Sequence, residues 1–485
     1  MSSEMTAAQV ETAGVDLMGD SSVKPALQAT ALLARHATNL AWENLDGVVV
    51  DRTINHILDA LACSLVGTKL PWISQVRAYA CDTGRHGEAS VVGGGMLVPE
   101  WAAFVNATSA HGFELDDYHS GALSHPGCVV VPTVLAVAEQ FGSKGREAIV
   151  ACALGMEAIV RIGLASSPSM VVDRGFHETC AQGVFGAALS AGKLLGLDEA
   201  GMVSALGIAG SHASGTRQYA HGGGEVKRLH AGLGAMGGIR SVMLTKRGLR
   251  GPSQILEGDK GFLRAFANEY SPQLITENLG EEWHFMQCGI KPYASCGVIH
   301  SSIDALLELL NEHSLSCGDV TEIHAGVDRL TIEHCGSLPI PPNDMNGAQF
   351  NLPYALGMAM VLKGNGFSDY WRLQETGFDV PDIVDAARKV RMSIDDEVNR
   401  AFPQTLMSRI RVWTKQGSWL EKVAKPRGSK DRPFTRAEIG RKFTDLLTTT
   451  PWAGRTRQIE EAVEALRDDA PVSDLTELLR IGERP

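Results

Sequence analysis

Apolar residues recur at intervals of three and four through most of the first 270 positions, and this period predicts helices. Residues 48–66 set Ile54, Ile57, Leu58, Leu61 and Ala62 on one face. Further helices are predicted over 101–110, 129–141, 144–165, 178–196, 198–213 and 227–248, with stops at Gly142, Gly196 and Gly248. Several carry small residues in series, such as Gly183, Gly186, Ala187, Ala188 and Gly192, then Gly232, Gly234, Ala235, Gly237 and Gly238. Glycine costs helix stability, so this density implies buried helices whose backbones approach closely. After about residue 289 the period changes. Residues 320–328 alternate as a strand does, and 409–414 and 419–423 flank a Lys415-Gln416-Gly417 turn and read as a hairpin. Helices at 299–313 and 350–364 lie among these strands, and 435–448, 455–468 and 473–480 are helical again. The predicted class is therefore mainly α. An all-helical domain (24–288, rejoined by 429–485) receives a smaller inserted α+β domain (289–428), after a disordered tail (1–23).

Composition narrows the function classes. The 485 residues carry a net charge of −12, which argues against nucleic acid as a partner. An anionic ligand needs a local basic cluster against that background. Nine scattered cysteines with no C-x-x-C pair indicate a reduced compartment and no disulfide framework or zinc ribbon. The first residues are acidic, unlike a secretory signal or an Arg-rich transit peptide, and the apolar run 128–138 is too short to span a bilayer. The expectation is a cytoplasmic protein with no membrane partner.

Chemistry concentrates in five stretches. The first, HGFELDDYHSGALSHPGC at 111–128, holds three histidines, Glu114, Asp116, Asp117 and Tyr118 between two apolar helices. Its plainer reading is a helix end with capping carboxylates. The alternative is a site that offsets their desolvation. His125 precedes Pro126 near a helix start, where free N–H groups suit an anion. The second is His177 after Gly175. The third runs from Tyr219 through His221 and a glycine loop into Lys227, Arg228 and His230. It lacks phosphate-loop spacing, and its basic first helical turn is the reverse of the usual dipole preference. A carboxylate-binding pair is one reading and a solvated turn the other. The fourth is Lys291 to His300, where the two textures meet, and the fifth is Gln349 to Tyr354, where a tyrosine starts an apolar helix. Neither a cysteine cluster nor an H-E-x-x-H pattern points to a metal.

Together these stretches resemble the MmgE/PrpD family, which includes cis-aconitate decarboxylase, 2-methylcitrate dehydratase and iminodisuccinate epimerase. The resemblance runs from about 30 to 470 and rests most on ELDDYHS with His125, GFH at 175–177, VKRLHAG at 226–232, KPYASCGVIH at 291–300 and the 349–357 stretch. The seven-residue step from Tyr118 to His125 and the Glu333-His334-Cys335-Gly336 spelling are most similar to the fungal decarboxylase branch. The HGGGE run before Lys227 departs from the family pattern. The resemblance implies an all-helical domain with a smaller α/β lid domain, a homodimer, and no metal or organic cofactor. By motif, it implies active-site roles for Glu114, Tyr118, His125, His177, Lys227, Lys291 and Tyr354.

On this basis the expected activity is decarboxylation of cis-aconitate to itaconate, within a lyase acting on small polycarboxylates. Lys227, Arg228 and Lys291 would oppose the substrate's charge, with Glu114 and Tyr118 alongside. His125 is the expected proton donor, on the argument that its acidic neighbours outweigh burial and keep the ring charged. His177 and Tyr354 would help to select the carboxylate that leaves. The same groups would serve a dehydratase or an epimerase, and a non-catalytic helical scaffold is the reading from another class.

Overall fold

The structure, a computed structural model, describes residues 28–481. The tail expected at 1–23 lies outside the described residues. The predicted helices form close to their expected bounds: Gly47–Gly67, Pro99–Ala110, Gly127–Phe141, Gly145–Ser166, Glu199–Ala209 and Val226–Lys246. The segment predicted as one helix over 178–196 is two, Glu178–Ala181 and Gly183–Leu194, with Gln182 between them. Glycine sets how closely these helices lie. A Cβ on Gly232 would sit 2.4 Å from the Phe104 carbonyl oxygen, and one on Gly155 would sit 2.0 Å from Ser190 Oγ. Any larger residue there forces neighbouring backbones apart. The Gly145–Ser166 helix has the length and hydropathy of a membrane span, but 94% of that window is buried against the rest of the protein.

The second texture is a four-stranded sheet with its own core. Strand order is Val390–Ile394, Val320–Val327, Ser408–Thr414, Trp419–Ala424. The Val320 strand runs parallel to the first and antiparallel to the third. The predicted hairpin forms, with Gly417 at φ +80° in its turn and Trp413 opposite Trp419. Buried and half-buried residues alternate along Ser408–Thr414, so Ile410 and Val412 reach the core with Ile303 and Leu306 of the His300–Glu312 helix. The Val390–Ile394 strand is an addition to the predicted elements. Only Val390 in it is buried, so it carries little hydrophobic signal.

Two connections lock the sheet to the helices. The Leu352–Leu362 helix serves both cores: Tyr354 and Met358 enter the helical one, while Ala355, Leu356 and Ala359 enter the sheet's. Beyond the sheet, Arg436–Leu447 packs on Gly47–Gly67 and Val472–Leu478 on Gly127–Phe141, so the chain's end returns to its beginning. From the first of these, Lys442 Nζ reaches Asp59 Oδ1 at 2.6 Å and the Leu115 carbonyl at 2.8 Å. The C-terminal segment thus props the loop that joins Pro99–Ala110 to Gly127–Phe141. The protein is mainly helical with one small α/β domain, as the sequence pattern implied.

Candidate active site

That loop, residues 111–126, places each of its acids differently. Asp117 turns to the next helix, where both carboxylate oxygens accept from Gly127 N–H at 2.9 and 3.1 Å. For this residue the capping reading holds. Burial, reinforced by Asp116, raises its carboxyl to about 7. Asp116 accepts from His111 Nδ1 at 2.7 Å and lies 3.4 Å from His125 Nδ1. Burial opposes its charge, but His111, His125 and Lys291 hold it well below the usual range. Glu114 sits at φ +58°, a left-handed conformation rare for a residue with a side chain.

This turn aims Glu114 between two lysines. Lys227 Nζ donates to Oε1, and Lys291 Nζ lies 3.5 Å from Oε2. Burial would raise the Glu114 carboxyl, yet Lys227 and Lys291, with Arg228 and His111 behind them, keep it far below its ordinary value. Lys291 is the mirror case: burial lowers it, and Glu114 and then Asp116 outweigh burial and raise it. Backbone pairing sets the approach. Tyr118 and Gly289 exchange N–H···O bonds at 2.9 and 2.7 Å, which brings Lys291 against the loop.

The histidines form a second group. His125 Nδ1 lies 2.7 Å from the Asp117 carbonyl, which can only accept, so Nδ1 carries the proton and Nε2 is bare. Burial drives this ring down to about 3, against the raising effect of Asp116, and Lys291 adds to the fall. The expectation that acidic neighbours keep His125 charged therefore fails in the free protein: Asp117 is turned to Gly127, Glu114 is taken up by Lys227 and Lys291, and burial outweighs Asp116 even at 3.4 Å. His177 Nδ1 shares a proton with His230 Nδ1 at 2.8 Å, and burial with Lys227 beside it holds His177 well below its usual pKa. The His111 ring stands between them, 5.1 Å from that of His125 and 5.6 Å from that of His177.

Glu114, Tyr118, His125, Lys227 and Lys291 all line one pocket between the helices and the smaller domain. The Tyr118 hydroxyl is buried there without a hydrogen-bond partner among the described residues. Three other sequence candidates lie elsewhere. His177 is buried behind the wall, against Tyr219, which does line it. Arg228 donates to Asn346 Oδ1 at 2.8 Å and Gln349 Oε1 at 2.9 Å, so it anchors the smaller domain. Tyr354 donates its hydroxyl to the Phe378 carbonyl at 2.8 Å, as a core tyrosine does. The pocket also contains Glu178, Arg217, Cys296 and His334, which sequence reasoning did not select. For Arg217, next to the predicted His177 and Tyr219 stretches, no sequence signal marks it out. Among the described residues, His111, Asp116 and Cys128 bring possible metal-ligating atoms within 4.8 Å of one another. These atoms are engaged together: His111 Nδ1 bonds Asp116, and the Cys128 thiol donates to the His125 carbonyl at 3.2 Å.

A loop of acids and histidines, met by two lysines at a domain junction, fits a polar-ligand enzyme site, and comparison with known proteins defines its class. Residues 31–275 match the MmgE/PrpD N-terminal domain and residues 293–468 the MmgE/PrpD C-terminal domain. The chain belongs to the MmgE/PrpD family. It is similar to the cis-aconitate decarboxylase of Aspergillus terreus, with 31% identity over 95% of this chain and 97% of that one. A cis-aconitate decarboxylase-like protein of Aspergillus oryzae is 30% identical over 94% of this chain and 98% of its own length. The cis-aconitate decarboxylase of Mus musculus is 26% identical over 91% of each.

Proposed function

We propose that this protein is a carboxy-lyase that converts cis-aconitate to itaconate. The observation that carries the reading is the Lys227–Glu114–Lys291 triad, which faces the same pocket as the bare Nε2 of His125. Full-length similarity to proteins named for this activity supports it.

The chemistry needs two things from the site. Three carboxylates must be held, and the one on the methylene carbon must leave as CO2. Its bonding pair becomes the new double bond, and the old alkene pair moves to the far carbon and takes a proton there. One trianion and one proton give one dianion and CO2. Lys227, Lys291 and the Tyr118 hydroxyl are positioned to hold carboxylates. His125 is the proton carrier. Its neutral resting state means that it must gain a proton as substrate binds, and a trianion beside Nε2 favours that gain.

The test is incubation of the purified protein with cis-aconitate, 2-methylcitrate and iminodisuccinate in separate reactions, followed by CO2 release and proton NMR of the products. Itaconate with equimolar CO2 is the expected result. Dehydration of 2-methylcitrate or epimerisation of iminodisuccinate, with cis-aconitate untouched, would move the protein to another reaction of the family.

A further inference from the structure

Every turnover of the proposed reaction leaves one proton on carbon, so the group that gives it must be recharged each time. His125 can be recharged on one side only. Its Nδ1 proton is committed to the Asp117 carbonyl at 2.7 Å, and a carbonyl has no proton to return. The new proton therefore arrives at Nε2. Among the described residues, Glu178 is the acid that reaches this nitrogen. Its Oε1 lies 3.9 Å from His125 Nε2 and 3.6 Å from His177 Nε2, so the carboxyl stands between the two rings. A small side-chain turn or one bridging water closes the gap to His125, and such contacts shorten when substrate fills a site.

A helix-capping role does not account for this placement. Glu178 opens the short helix Glu178–Ala181, but its Oε2 is buried with no hydrogen-bond partner among the described residues, whereas the capping Asp117 engages both oxygens. The groups that face Glu178 pull in opposite directions. Burial raises its carboxyl; Arg217, its own backbone N–H and Lys227 oppose this, and Glu114 adds to the rise. Burial pushes the Tyr219 hydroxyl up and drives both His125 and His177 down, so these three neighbours are neutral. A carboxyl balanced between burial and two cations exchanges its proton at small cost, which a relay needs. Glu178 also lines the pocket, where solvent can reload it.

We propose that Glu178 relays protons from solvent to His125 Nε2. This rests on the reading that His125 is the proton carrier. The Glu178 O–H bond breaks as the Nε2–H bond forms, which leaves a carboxylate beside an imidazolium. The carboxylate then takes a proton from solvent, and the imidazolium gives its own to the substrate carbon. One solvent proton enters per cycle, and Glu178 ends as it began. Arg217 steadies the carboxylate in between.

The test is steady-state kinetics of the full chain on cis-aconitate, for variants whose circular dichroism matches wild type. E178Q should lose at least about tenfold in kcat with little change in KM. E178A, which leaves room for a small acid, should lose as much and regain at least about threefold on addition of formate. The double variant E178A/H125A should fall less than about twofold below H125A, since a relay acts only through the ring it serves. A kcat for E178Q within about twofold of wild type overturns the proposal. So does a loss in E178A that formate leaves unchanged or that persists in full beside H125A; either marks a structural role. If E178Q does not fold, E178A decides alone by the same criteria. H125A at wild-type kcat overturns both the relay and the reading of His125. A protein that leaves cis-aconitate untouched but dehydrates 2-methylcitrate or epimerises iminodisuccinate sinks the decarboxylation reading alone, and the same variants on that substrate then decide the relay.

Discussion

Replacing Glu114 by Gln removes one negative charge and almost no volume. The carboxylate and its two lysines are nearly inaccessible, with side chains 2%, 4% and 1% exposed for Glu114, Lys227 and Lys291, so solvent does not screen the loss. Breaking a buried pair by deleting one partner costs on the order of 3–5 kcal/mol, because the remaining charge stays uncompensated. At about 2.1 cal/mol/K of unfolding entropy per residue, a cooperative chain of 485 residues loses about 1 °C in Tm per kcal/mol. E114Q should therefore melt about 3–5 °C below wild type at pH 7. The pH dependence carries a second signature. In the wild type Lys291 is raised by Glu114, so its contribution is present below the ordinary lysine pKa and lost only at higher, alkaline pH. In E114Q the largest opposition to burial at Lys291 is gone and Asp116 is the main carboxylate left to raise it, so Lys291 sheds its proton more easily and the deficit shrinks as pH rises from 7 to 9.5. Scanning calorimetry of both proteins at both pH values measures this. A variant within 1 °C of wild type at pH 7, or an equal deficit at the two pH values, would refute the reasoning.

Three further outcomes are expected. His125→Ala should lose at least roughly a hundredfold in kcat on cis-aconitate with a smaller change in KM; a folded variant with wild-type kcat removes His125 from proton transfer. Because burial holds His125 at about 3 in the free protein, substrate binding at pH 7 should take up close to one proton. Calorimetric titration in buffers of different ionisation enthalpy reads this directly, and a heat independent of buffer contradicts it. Arg228→Gln should cost about 2 kcal/mol by denaturant unfolding, since charge-assisted bonds to Asn346 and Gln349 are lost; unchanged stability would show that the anchor contributes nothing.

Periodicity made most of the fold readable, because a buried helix writes its contact face into the chain every three or four residues. The break at Gln182 and the strand at Val390–Ile394 were not readable, since neither changes that pattern by more than a residue or two. The site was readable as a set of residues and not as a set of contacts. Glu114 meets Lys227 and Lys291 at sequence separations of 113 and 177, and nothing local in the chain announces such a pairing. Lys227 and Arg228 are neighbours in sequence, but consecutive helical residues point about 100° apart, so one enters the pocket and the other grips the smaller domain. For His125 the sign of its shift turned on how deeply the ring is buried, which outweighs Asp116. Asp117 aims at Gly127 N–H, an orientation that sequence proximity alone does not give.

The return of the last helices to the first bears on how this protein is made. The Gly47–Gly67 helix is buried in part by Arg436–Leu447, so one face of an early-synthesised element has no partner until more than three-quarters of the chain has been translated. At about 5–20 residues per second, the 369 residues from Gly67 to Arg436 take roughly 20–70 s to emerge. Through that interval the nascent helical region carries uncovered apolar surface while the inserted sheet, whose core lies wholly between Tyr293 and Ala424, is free to close by itself. Assembly on the ribosome thus finishes with the domain that begins the chain, and a nascent protein halted before Lys442 would lack the prop beneath its own 111–126 loop.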